Sequence, residues 1–97
     1  MIDPAISNLA EALARLLGYD EMAVMSIPQR SELYKRLAEE YPYIYPFVMM
    51  SAQGCDARRA EKMLHNVTVQ YNRNSYFLLH LAIFWNSYGD IQKAIYA

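Results

Sequence analysis

From Ile6 onward the apolar positions Leu9, Ala10, Leu13, Leu16 and Leu17 recur at i+3 and i+4 from one another until Gly18. That spacing marks one face of an amphipathic α-helix. Asp3 followed by Pro4 supplies an N-cap and a first-turn proline, and Gly18 supplies the stop. Asp20 stands where it would cap a second, shorter helix holding Met22, Ala23 and Met25, broken at Ile27 because Pro28 cannot continue it. Beyond Pro28, Leu33, Tyr34, Leu37, Ala38 and Tyr41 share one face, while Arg30, Glu32, Lys35, Arg36, Glu39 and Glu40 fall largely on the other.

Pro42 ends that helix, and Pro46 sits where a first helical turn tolerates it. Tyr43 to Gln53 therefore reads as a helix that is apolar nearly all round and stops at Gly54. Asp56 caps the next helix, whose apolar stripe is Ala57, Ala60, Leu64, Val67 and Tyr71, with Arg58, Arg59, Glu61 and Lys62 toward water. Asn74 or Ser75 caps a helix over Tyr76 to Tyr88 that closes at Gly89, and Asp90 caps a final two turns to Ala97. No segment alternates with period two, so the expected fold class is all-α. The pattern predicts five to six helices, stacked as antiparallel hairpins in a single domain over 1–97.

Three times a Gly stop is followed at once by an acidic cap: Gly18 with Asp20, Gly54 with Asp56, Gly89 with Asp90. The later two units superimpose at an offset of 34 residues, with Asp56 on Asp90, Ala60 on Ala94, Ile44 on Leu78 and Phe47 on Leu81. Leu78, Leu81, Ala82, Trp85, Gly89, Asp90 and Ala94 stand where a tetratricopeptide repeat carries its signature residues, and 34 is the period of that repeat. The stretch from Tyr41 to Ala97 thus resembles tetratricopeptide hairpins, while 1–40 reads as a degenerate N-terminal hairpin. Asn72 departs from the proline of the pattern, and Pro28 interrupts the upstream unit. The same stops and small residues also fit an unrelated small helical bundle.

Composition narrows the function. The chain is 55% hydrophobic and 20% charged with a net charge of -1, a balance that favours a compact soluble domain and offers no electrostatic pull on nucleic acid or anionic membrane. No apolar run approaches the roughly 20 residues of a bilayer span, and the N-terminus does not read as a secretory signal. One cysteine, Cys55, cannot staple the fold, which favours a reducing cytoplasm. Two histidines, His65 and His80, and no HExxH, CxxC, GxxxxGK or GxSxG motif leave no catalytic or metal-ligand constellation, so neither an enzyme nor a cofactor is expected. Cys55 reads as a small turn residue, His80 as a core or groove-edge residue, and Glu39 with Glu40 as part of a solvated face.

The excess is of nine Tyr and six Met over three Gly, side chains that suit both cores and adaptable contact surfaces. The tetratricopeptide resemblance implies an inner face drawn from the first helix of each hairpin. Residue by residue it carries Tyr45, Met49, Ala52 and Gln53 beside Tyr76, Leu79, Ile83, Asn86 and Ser87. That face is mostly apolar, unlike the Lys-, Arg- and Asn-lined clamps of repeats that grip charged peptide tails. Two classes of function follow. One is a protein-binding module or small chaperone that holds an apolar or amphipathic helical segment of a partner; the small tetratricopeptide-fold chaperones of type III secretion subunits are similar in size, compartment and groove character. The other is a small helical homodimeric regulator or inhibitor, of mobile-element origin, acting on an enzyme or nucleic acid through the charged helix Arg30 to Glu40. A protein partner, or a second copy of the chain, is the expected ligand.

Overall fold

The computed structural model describes residues 4–88, apart from the side chains at 23 and 88. The Asp3 cap, the Gly89 stop and the last helix from Asp90 lie outside the described residues. All regular structure within them is helical: α1 (Pro4–Leu16), a 3₁₀ helix (Asp20–Val24), α2 (Ile27–Glu40), α3 (Tyr45–Ala52), α4 (Ala57–Gln70) and α5 (Ser75–Tyr88).

The caps follow from local chemistry. Gly18 closes α1 at φ 100°; its N–H reaches the carbonyl of Arg15 (3.0 Å), while the N–H of Tyr19 reaches back to Ala14 (3.1 Å). Those two bonds are the Schellman arrangement, which satisfies carbonyls that the helix end leaves open. Asp56 Oδ1 accepts from the Arg59 N–H (2.9 Å) to start α4, and Asn74 Oδ1 accepts from Phe77 (3.0 Å) to start α5. The cap at the head of α5 is thus Asn74 rather than Ser75.

Two expectations need correction. Asp20 caps nothing: it is the first residue of a 3₁₀ helix whose preceding residue, Tyr19, makes no side-chain cap bond. The break before α2 falls at Met25 and Ser26, not Ile27. Ser26 accepts from the Gln29 N–H and Gln29 Oε1 accepts from the Ser26 N–H, a reciprocal capping box that fixes Ile27 as the first helical residue and leaves Pro28 in the first turn.

Short turns at 41–44, 53–56 and 71–74 join the last four helices in sequence, the connection length that folds helices back on their neighbours. α3 is the pivot, packed by α1, α2 and α4. Its eight residues carry no charge, and Phe47, Val48, Met49 and Ala52 are all buried, which is why the sequence there shows no polar face. One buried cluster unites Ala10, Ala14, Met22, Leu33, Tyr34, Leu37 and Phe47. A second unites Ile6 with Met49, Ala52, Ala60, Leu64, Val67, Phe77, Phe84 and Trp85, among others. Ala38 and Met50 pack against both. Ala57, assigned to the α4 stripe by periodicity, is exposed instead, because it is the first residue of the helix and lies beyond the edge of the core.

Candidate interaction surface

The heads of α3 and α5 and the end of α4 meet in an aromatic knot. Tyr45 stands edge-on to Phe77 (centroids 5.0 Å apart, 86°) and to Tyr71 (5.8 Å, 65°), and Tyr71 lies 5.8 Å from Phe77. Edge-to-face pairs of this kind add to what burial alone contributes. The Tyr45 hydroxyl and Nδ1 of His80 share a hydrogen bond of 2.7 Å, and the Tyr71 hydroxyl donates to the Tyr43 carbonyl (2.8 Å). Burial, aided by the neighbouring Tyr71, raises the pKa of the Tyr45 phenol. His80 is therefore a half-buried partner of Tyr45.

The inner face expected from the sequence is only partly open. Met49 and Ala52 have no exposure at all. Their side of α3 is covered by α1, whose Ile6 sits in the same buried cluster and whose body also meets α5. Met49 is thus a core residue and not a partner contact. The small side chains of Ala10 and Ala14 have the physical effect of letting α1 lie close to its neighbours. Gln53 is half-buried at the end of α3, and its Oε1 has no hydrogen-bond partner among the described residues. Tyr45 is half-buried in the aromatic knot.

What remains accessible is on α5. Tyr76 is 73% and Leu79 57% exposed; Asn86 is exposed and Ile83 half-buried. At spacings of three, four and three these four residues form one stripe along the helix. Opposite them, Phe77, Leu81, Phe84 and Trp85 are buried. α5 is apolar on both sides, and Ser75 to Tyr88 contains no Asp, Glu, Lys or Arg.

The structure also holds a concavity that the sequence pattern does not predict. α2 and α4 flank α3 and leave between them a groove of about 530 Å³. Ala38, Val48, Ser51 and Met63 line it together with the charged side chains Glu32, Lys35, Glu39 and Arg59. Cys55, at one end, has Sγ 3.6 Å from Met63 Sδ. The charges of 32–39 are exposed, as their spacing implies, and Glu32, Lys35 and Glu39 border the groove as well. Arg30, at the start of that charged face, is turned toward Glu11 of α1 (4.0 Å), which also pairs with Arg15 (3.6 Å).

Among the described residues no group of three or more His, Cys, Asp or Glu side chains could hold a metal ion. No helix there is long and apolar enough to cross a membrane. No protein-family model, curated protein or solved structure matches the chain.

Proposed function

We propose that the chain is a protein-binding module, of the kind that shelters an apolar or amphipathic helical segment of a partner, and that it acts by binding and not by catalysis. The observation that carries this reading is the uncharged stripe Tyr76–Leu79–Ile83–Asn86 on α5, exposed at all but the half-buried Ile83. An apolar stripe left in water costs free energy that a partner's apolar face recovers, and a Tyr at its end adds broad contact area with a polar tip. The resemblance of 41–97 to tetratricopeptide hairpins fits this use, since such hairpins present the first helix of each pair, and the small chaperones of type III secretion subunits exemplify it. The partner stands against α5 rather than in a trough between α3 and α5, because α1 occupies that side of Met49.

The test is a photo-crosslinking amino acid at position 79 in the native cell, paired with binding of an environment-sensitive apolar dye to the purified protein. Specific crosslinks to a discrete partner, and dye fluorescence lost in Leu79→Asp, are expected. A dye-silent monomer that yields no crosslink overturns the reading. Charge reversal at Lys35 and Arg36 should leave the crosslink intact; loss of it there instead would favour the homodimeric regulator acting through α2.

A further inference from the structure

We infer that the groove between α2 and α4 is a second docking site, independent of the α5 stripe, and that its occupant is an amphipathic helix with basic residues on one edge and an acidic residue on the other. Ala38, Val48 and Ser51 line the groove with short side chains and Met63 adds an apolar one, a surface that a helix backbone can approach closely. Glu32 to Glu39 spans about 10 Å of α2 and Arg59 to Val67 about 12 Å of α4 at 1.5 Å per residue. The groove therefore takes two turns of a helix, whose anchors at i, i+4 and i+7 would meet that surface.

The walls specify its charges. Glu32, Lys35 and Glu39 lie on one face of α2 by their three- and four-residue spacing and all line the groove, while Arg59 lines it from α4. None of the four makes an ion pair with another described residue, and none bridges the groove. A helix seated between the walls supplies what they lack. Two cations seven residues apart match Glu32 and Glu39 and straddle Lys35, whereas cations four apart would put one beside Lys35. An anion on the opposite edge meets Arg59.

The probe is a fluorescent alanine-based peptide of about 15 residues, long enough to be helical. It carries Leu at i, i+4 and i+7, two Lys seven apart on one flank and a Glu on the other. Its control has the same Leu face with the Lys and Glu positions exchanged in sign. Fluorescence anisotropy at low salt should give the matched peptide about tenfold tighter binding than the control, falling with added salt. Arg59→Glu should weaken the matched peptide, and changing the peptide's Glu to Lys should restore binding to that variant. Glu39→Lys should weaken it while Leu79→Asp leaves it unchanged. All these positions are exposed, and a circular dichroism spectrum checks that each variant is folded. Equal binding of the two peptides, no binding of either, or loss on Leu79→Asp with no effect of Glu39→Lys overturns the inference. The last outcome would assign the peptide to the α5 stripe and leave the proposed function standing.

Discussion

The Tyr45 hydroxyl lies 2.7 Å from Nδ1 of His80 and ties the first turn of α3 to the second turn of α5 across 35 residues of chain. The bond is partly buried, so removing one side leaves the other poorly solvated. Tyr45→Phe keeps the ring against Phe77 and Tyr71 and loses only the hydroxyl. It should cost about 1 kcal/mol in urea unfolding. His80→Ala in the Tyr45→Phe background should cost less than His80→Ala alone, and strict additivity in that double-mutant cycle would show that the two residues are not coupled.

Alkaline pH should destabilise the fold. Burial raises the phenol pKa of Tyr34, with Glu11 adding to the rise and Arg30 opposing it, and burial also raises that of Tyr45. A raised pKa means the folded chain holds its proton longer than the unfolded chain. The stabilisation is therefore complete below about pH 10, the unfolded value, and is lost as pH climbs through the folded values. Urea midpoints taken from neutral to strongly alkaline pH should fall above about pH 10. The fall should be shallower in Tyr34→Phe with Tyr45→Phe, and an unchanged slope would refute the assignment.

The two described glycines should respond oppositely to alanine. Gly18 holds φ +100°, a conformation hostile to any Cβ, although nothing lies within 4 Å. Gly18→Ala should cost about 1 kcal/mol. Gly54 has open space as well but no positive φ, so Gly54→Ala should be neutral or stabilise by up to about 1 kcal/mol through the unfolded chain. Thermal melts of both variants decide it.

Two of the acidic caps expected from the sequence, Asp20 and Asp56, should also separate. Asp56→Ala removes a bond to the Arg59 N–H and should cost about 1 kcal/mol. Asp20→Ala removes no cap and should change stability by less than about 0.5 kcal/mol. Equal losses would return Asp20 to the role its position suggested.

Helix faces and punctuation were legible because both are local. The steps from Ile6 to Leu13, the run Leu33 to Leu37, the Gly18 stop and the Asp56 cap each follow from neighbours a few residues away; Leu16 and Leu17, placed on the same face of α1 by their spacing, are exposed instead. The Ser26 to Gln29 capping box is equally local, but it contains Pro28, a helix breaker at most positions that the first helical turn tolerates. The site was harder to read. α3 has apolar residues on every side, so periodicity cannot say which side meets α1, which meets α2 and α4, and which stays open. Met49 and Leu79 look equivalent in sequence; the helices packed around α3 bury Met49, while Leu79 stands exposed on α5. The groove is legible only once α2 and α4 are known to flank the same helix.

Ile6 should therefore be more sensitive than its place near the chain start implies. It is fully enclosed beside Met49 and Phe84. Ile6→Ala should lower unfolding free energy by about 2–5 kcal/mol, whereas Leu16→Ala, 83% exposed at the other end of the same helix, should stay within about 0.5 kcal/mol.

The cover that α1 lays over α3 means that α3, α4 and α5 are not a free-standing piece. Cut at residue 41, it would bare Met49, Ala52 and their neighbours to solvent and lose the α2 wall as well, so an excised fragment should aggregate or remain molten. Recombination or design that borrows those three helices must carry α1 and α2 along with them.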